Sequence, residues 1–574
     1  MRTITRVLIL ILSVGLTSIS GARAILQTPP SGGVIRVIVR SSGTLEPIAG
    51  AHATLTPGQV SSSTGADGVA VFDKLVYGFY SIRVDREGYL VTPPANSFAI
   101  STPTTPSANA VAGPKPVDVS VLLTPGGSIS GRVLDAYGVP IANAVVMAGN
   151  IGYRDGRRIY IQQNSTQPDG LGNYVLTPLG SGEYFIRLEP SAQRSGGEYY
   201  PGVVDTDNAI RIAVQAGQQI VGIDFKMSNS RTFKVSGNVL NLPARTLANG
   251  QPDNTVPSLT FASADPHNVD SQTTPLVANG RRGSNGEFEI ALPPGLWDVF
   301  PVINMRLPTP AARGNNVATP FSAPAPGVPV YTTGRVRVFV ADRDVENVSV
   351  SIAASDIKGH IVFDGGAPLL VTVKVSLLPL DNTPSPLISH IRAAQTPDAA
   401  GSFSFESVPA GRYSLQFTTI PAGFYVADIR VGSQSIYDNG AIIVGTEPIG
   451  PVEVTLRSDG GKVQVTTGKS ATTAGPNTMF FPYQSVARFV LVPAVPRQQN
   501  VLLYKSVAAD RMITWAFQDV APGDYKVFAF EALPTGGAEQ NAEFMAKYES
   551  LGVPVHVNAG QTVSVQVPWI PAEQ

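Results

Sequence analysis

Histidine and acidic residues are the first place to look for chemistry in this 574-residue chain. A zinc peptidase needs a His-x-x-Glu pair and a distant histidine, because catalytic Zn²⁺ takes three protein ligands and keeps one position open. The five histidines are His52, His267, His360, His390 and His556, and none has Glu three residues on; His267 with Asp270 comes nearest. No Gly-x-Ser-x-Gly elbow and no phosphate-cradling Gly-x-x-x-x-Gly-Lys loop is present. The acidic runs "DTDN" (205–208) and "DRDVEN" (342–347) could offer oxygen to Ca²⁺, but neither has the spacing of a twelve-residue Ca²⁺ loop. No catalytic residue, metal site or cofactor is expected, and the chain reads as a non-enzyme.

Aromatic rings flanked by hydrogen-bond donors are the remaining candidates. A sugar ring stacks on an aromatic face while its hydroxyls take hydrogen bonds. "GNIGYRDGRRIYIQQN" (149–164) and "EYYPG" (198–202) supply Tyr153, Tyr160, Tyr199 and Tyr200 as rings and Arg154, Arg157 and Arg158 as donors. These four tyrosines form the expected ligand site; packing against a neighbouring unit is the competing expectation. Of the tryptophans, Trp297 and Trp515 read as core, and Trp569 lies in the last strand.

The elements that must position these groups are written in a repeat. "LVYGFYSIRV" (75–84), "LGSGEYFIRL" (179–188), "LPPGLWDVFPV" (292–302), "VPAGRYSLQF" (408–417) and "VAPGDYKVFAF" (520–530) are copies of one phrase. Their glycines, Gly78, Gly182, Gly295, Gly411 and Gly523, are spaced 104 to 116 residues apart, so one structural unit is used five times. Tyr413, Leu415 and Phe417 alternate with Ser414 and Gln416, the period of a strand with one buried face. Upstream, Phe403 and Phe405 precede Val408 and Gly411, making a hairpin whose turn needs glycine. The spacing Gly-x-apolar-x-apolar-x-x-apolar-x-x-Gly-x-Tyr is shared by three copies, and in the fifth Ile513 stands where the first glycine belongs. Each unit closes on a valine-rich run. The one persuasive helix is 538–552, with Phe544, Met545, Tyr548 and Leu551 on one face and Gly552 as its cap.

The N-terminus reads as a secretory signal: Arg2 and Arg6, the apolar run "VLILILSVGL" (7–16), then "ARA" (22–24), with cleavage expected after Ala24. No later run reaches the ~18 apolar residues a membrane span needs. The balance of 41 basic and 42 acidic residues, without a basic stripe, argues against nucleic acid as partner. Cysteine is absent, which excludes thiol chemistry and leaves an exported chain reliant on its cores. The 56 glycines and 48 prolines are dispersed among apolar runs and mark turns.

The phrases Gly-x-Ile-x-Gly-x-Val, Gly-x-Pro-Ile-x-Asn-Ala-x-Val, Asp-Gly-x-Gly-x-Tyr-x-Leu and Gly-x-Tyr, running from Gly127 to Tyr184, resemble the carboxypeptidase regulatory-like domain. The resemblance extends over 33–84, 357–417 and 508–530 and is faintest over 231–302; the last unit also looks like the C-terminal unit of large secreted bacterial proteins. It implies a transthyretin-like (prealbumin-like) sandwich, grouped with carbohydrate-binding folds, and implies carbohydrate as ligand class. Such a likeness specifies fold better than activity.

The expected protein is all-β: a signal peptide (1–24), then five tandem antiparallel β-sandwiches at 25–125, 126–230, 231–354, 355–457 and 458–574, one short helix in the last. The expected role is binding or adhesion outside the cell or at its surface, in the periplasm or beyond, toward polysaccharide or envelope proteins. A structural spacer of the envelope is the alternative, and an accessory module of an extracellular peptidase or glycan-degrading system the third.

Overall fold

The computed structural model describes residues 31–91, 108–190, 197–227, 232–241, 258–264, 276–279, 287–302, 334–351, 355–364, 373–381, 391, 393–445, 447–468, 485–509 and 512–572. The signal-peptide segment with its cleavage site, and His267 and His390, lie outside the described residues. The regular structure of the described chain is almost entirely strand, arranged in ten sheets that pair as five β-sandwiches. The first sandwich forms one compact unit; the other four form a second.

One wiring plan repeats. In the first sheet of each sandwich an opening strand sits in the middle: Ser31–Ser41, Gly127–Leu134, Phe233–Leu240, Ser355–Phe363 and Gly461–Thr466. On one side it pairs antiparallel with the strand that ends in the glycine turn, as Ser355–Phe363 does with Ser402–Val408. On the other side the valine-rich closing strand lies parallel to it, as Val452–Arg457 does. All five copies have that parallel pair. Among the described strands the sandwiches are therefore antiparallel except at this seam and where Trp569–Ile570 lies parallel to Gly523–Pro534 in the fifth, a direction that side-chain alternation cannot reveal because it has the same period in either pairing.

The repeated phrase has a mechanical reason. Gly78, Gly182, Gly295, Gly411 and Gly523 have φ between 148° and 159°, a region costly for any residue with a Cβ. Two residues on, the ring enters the core and its polar tip turns back to a main-chain carbonyl four residues upstream. Tyr80 donates to Val76 O (3.0 Å), Tyr184 to Gly180 O (2.8 Å), Tyr413 to Pro409 O (2.9 Å) and Tyr525 to Ala521 O (2.8 Å). Trp297 does the same through its indole N–H to Pro293 O (3.2 Å). This explains why all five copies carry Tyr or Trp and none Phe: a buried ring needs a donor for the turn's carbonyl. The first glycine of the motif is equally constrained. A Cβ on Gly68, Gly172 or Gly401, all at positive φ, would meet the carbonyl of Val39, Val133 or Ile361 at 2.7, 2.5 and 2.6 Å.

Tyr413 and Leu415 are buried as the alternation predicts, while Phe417 is half-buried against the same core. Two readings are corrected. Trp515 is 37 % exposed, not core, because it lies on the edge strand Thr514–Val520 facing outward. The expected helix over 538–552 is three short pieces: 3-10 turns at Ala538–Gln540 and Glu549–Leu551, with an α-helix only at Ala542–Ala546. Asn541 starts that helix late by accepting a hydrogen bond from the Phe544 amide (2.8 Å), and Gly552 caps only the last 3-10 turn, in an extended conformation. Met545, Phe544 and Tyr548 do share a buried side, but Leu551 is exposed. Among the described residues no helix is long and apolar enough to cross a membrane.

Candidate binding cleft between the third and fourth sandwiches

The four tyrosines expected to present rings to a ligand are brought near one another only in part, and they are packed. Tyr160 and Tyr199, on the hairpin strand Arg157–Thr166 and the short strand Glu198–Tyr199, are 3 % and 1 % exposed. Their rings meet edge to face at 5.7 Å, with the Arg187 guanidinium 5.8 and 5.4 Å from the two centroids. Tyr160 donates to the carbonyls of Met147 and Phe185, and burial pushes its hydroxyl pKa up. Tyr200 packs on Phe225 from the opposite side, at the core of the second sandwich. Tyr153 packs edge-on against Phe544 of the fifth sandwich at 5.4 Å. Tyr160 and Tyr199 thus form a satellite core with Met147 and Phe185, whereas Tyr153 and Tyr200 are half-buried.

The arginines of the same stretch hold modules together. Arg157 donates to the main-chain carbonyls of Pro379 and Asp381 in the fourth sandwich. Arg158 bonds Thr206 Oγ1 and Asp207 and reaches Glu543 of the fifth at 3.8 Å. The tip of the hairpin fits the fifth sandwich backbone to backbone: the Gly156 amide donates to Gly536 O, and Asn541 Nδ2 donates to Gly156 O. The acidic runs are also occupied by structure. Asp205 accepts from the amides of Asp207 and Asn208, and Asp344 from the Lys234 amide.

The strongest cluster of charged groups lies elsewhere. Strand Gly295–Val302 sends Trp297 and Val299 into the core of the third sandwich, so Asp298 and Phe300 must point to its other face. That face is covered by the fourth sandwich: Phe300 is fully buried within the core cluster of Tyr413 and Leu415. Asp298, 1 % exposed, would be an unpaired charge there, and two arginines compensate it. Arg337, its cross-strand partner, binds it in a two-pronged contact at 2.9 and 3.1 Å. Arg335 binds it at 2.7 Å and spans the junction to Asp381 of the fourth sandwich, also at 2.7 Å. Asp381 in turn accepts from the Arg412 amide (2.8 Å) and guanidinium (3.1 Å). Burial opposes its ionisation, but the Arg412 amide and the two guanidinium groups outweigh that and hold its carboxyl below the usual aspartate range.

Arg335, Arg337, Arg412 and Asp381 line a cleft of about 660 Å³, with Asp298 buried behind them and Gly334, Gly411 and Gly445 together with Val444 and Ala410 as its walls. The volume falls in the range of small-ligand pockets. Three guanidinium groups face two carboxylates, so the cleft carries surplus positive charge. Among the described residues that line it there is no nucleophile with a base beside it, and its forked donors are of the kind that suit an anion. The sequence carried one signal for it: Arg335 and Arg337 alternate with Val336 and Val338 in "RVRV", so both arginines share a face. Nothing in the sequence paired that face with Asp298 or Asp381.

No protein-family model matches the chain, and no curated protein matches it. Among solved structures, the chain is similar to the Bacillus anthracis TIE protein (9 % identity, 90 % of this chain and 74 % of that one, TM-score 0.14). It is also similar to BcpA, the major pilin subunit of Bacillus cereus (10 %, 74 % and 99 %, TM-score 0.15). Two B repeat units of the collagen-binding protein CNA of Staphylococcus aureus match at 10 % identity over 75 % of this chain and 100 % of that one, TM-score 0.13. Likeness at TM-scores this low assigns no function; the β-sandwich fold rests on the strand pairings of the chain itself.

Proposed function

We propose that this is a non-catalytic protein, exported to the cell surface or beyond, that binds an extracellular ligand at the cleft between its third and fourth sandwiches, with carbohydrate as the ligand class. The observation that carries the reading is the cleft itself: Arg335, Arg337 and Arg412 converge on a glycine-walled space of small-ligand size. Carbohydrate is supported by the resemblance of 127–184 to carboxypeptidase regulatory-like domains, and export by the charged-then-apolar order of the first 24 residues. The division into five modules with joints near 125, 230, 355 and 457 belongs to the same proposal.

A structural role in the envelope is the second reading. It is favoured by the contacts that join the second sandwich to the fourth and fifth through Arg157, Arg158 and Asn541. A glycan array with the chain lacking residues 1–24 separates the two. Binding to a glycan that weakens at least tenfold in Arg412→Gln supports the first; no binding to any glycan supports the second. Turnover of peptide or glycan substrates by the same preparation would overturn both.

A further inference from the structure

We infer that the cleft selects an acidic sugar, engaging its carboxylate with the arms of Arg337 and Arg412 that the protein leaves uncommitted. The inference rests on the binding function proposed above and specifies its ligand. Among the described residues, Arg337 uses only Nε and Nη2, both on Asp298, and nothing accepts from its Nη1. Arg412 uses its Nε on Asp381, and nothing accepts from Nη1 or Nη2. Both side chains are about half exposed, at 50 % and 56 %, whereas Arg335 is 14 % exposed and has both terminal nitrogens on carboxylates. The network thus divides its arginines: Arg335 is structural, while Arg337 and Arg412 are held at their inner ends and open at their outer ones. A guanidinium fixed on one edge by a carboxylate and bare on the other is preorganised to take a second planar anion.

Charge points the same way. Two carboxylates against three guanidiniums leave the network one positive charge in excess. One ligand carboxylate would balance the cleft. The walls argue for a sugar over an acidic peptide. Peptide side chains are anchored in apolar or aromatic pockets, and this lining offers only Val444 and Ala410. Three of the lining residues are glycines, which add no side chain that could anchor a peptide.

The test is equilibrium binding of the chain lacking residues 1–24 to four polymers: polygalacturonate, its methyl ester, dextran and dextran sulfate. The expected result is binding of polygalacturonate that weakens with salt, at least tenfold weaker binding of the ester, and at least tenfold weaker binding of polygalacturonate by Arg412→Gln. The melting temperature of that variant is measured alongside. Should it fall, the ester comparison and competition by free galacturonate on the unaltered chain carry the test alone. Equal affinity for acid and ester, or unchanged affinity in a folded Arg412→Gln, overturns the inference. So does tighter binding of dextran sulfate than of polygalacturonate, which would make the site one for sulfate. Binding of a neutral glycan that Arg412→Gln does not weaken removes the acidic-sugar site yet keeps a carbohydrate-binding protein; binding of no glycan removes both.

Discussion

The second sheet of the first sandwich and that of the second share four strands in the same order, the second adding the short strand Glu198–Tyr199, yet their outer faces differ. In the first, strand Gly78–Asp85 alternates strictly: Tyr80, Ile82 and Val84 are buried while Phe79, Arg83 and Asp85 are exposed. Its hairpin is short, His52–Thr56 with Val60–Ser63, and the outward pair Phe79 and Val111 is 60 % and 61 % exposed. In the second, the hairpin runs through Ala144–Arg154 and Arg157–Thr166, and strand Gly182–Pro190 is buried at five consecutive residues, Tyr184 to Leu188. The longer strands supply Met147 and Tyr160, which with Phe185 and Tyr199 close a second apolar layer over the outer face. The third and fourth sandwiches reach the same end by other means, burying Asp298 and Phe300 on one and Ser376, Leu378 and Ser414 on the other. Among the described residues one fold unit therefore exposes or buries the outer face of its second sheet, depending on which side chains cover it.

That contrast breaks most directly at its rings. Tyr199→Ala is expected to destabilise the second sandwich by about 3 kcal/mol, as large-to-small aromatic truncations in cores do. Phe79→Ala, an outward ring of the first sandwich, should cost below about 0.5 kcal/mol. Denaturant midpoints of the two variants check the pair, and similar costs would erase the distinction. Tyr413→Ala should match Tyr199→Ala, at about 3 kcal/mol, because the shared turn anchors every module whatever covers its outer face.

The next effect sits at the hairpin tips. A Cβ on Gly536, at φ 95°, would lie 1.9 Å from the Tyr153 carbonyl, where the long hairpin meets the fifth sandwich. Gly58, at φ 100° in the short hairpin, has nothing nearer than 3.6 Å. Gly536→Ala should cost more than the roughly 1–2 kcal/mol of left-handed strain expected for Gly58→Ala. It should also speed proteolysis near residues 536–544; equal melting temperatures for the two variants would show that the hairpin does not dock. Tyr413→Phe removes only the hydrogen bond to Pro409 O and should cost about 1 kcal/mol.

Smaller effects come from pH. Asp381 titrates below the ordinary aspartate range, so its contribution is present above the unfolded pKa and is lost as pH falls through the folded value. Melting curves from neutral to acid should show this loss, and Asp381→Asn should flatten it. His556 shows the opposite sign: Asp524 and then Asn558 raise its pKa, so its contribution is present below the unfolded value and fades as pH rises through the folded one. Both groups are exposed on the surface of the fifth sandwich, so His556→Gln should change the acid limb of the melting curve least of all.

The sequence by itself determined the repeat, the alternating strands and the turn. Gly411 and Tyr413 are legible because a positive-φ turn admits only glycine and a buried carbonyl demands a donor, and both are local requirements. It did not determine the parallel pairing of Val452–Arg457 with Ser355–Phe363, since alternation is blind to strand direction. Nor could it tell that Tyr199 is core and Trp515 exposed: an aromatic residue reads the same whether its face meets solvent or a second layer of side chains. The cleft was least legible. Asp298, Arg335, Asp381 and Arg412 are spread over more than a hundred residues and belong to two modules, and only the packing of one sheet's outer face against the next sandwich makes a lone buried aspartate require them. Local chemistry sets each module; which faces are covered, and hence where charges must converge, is a property of the assembled chain.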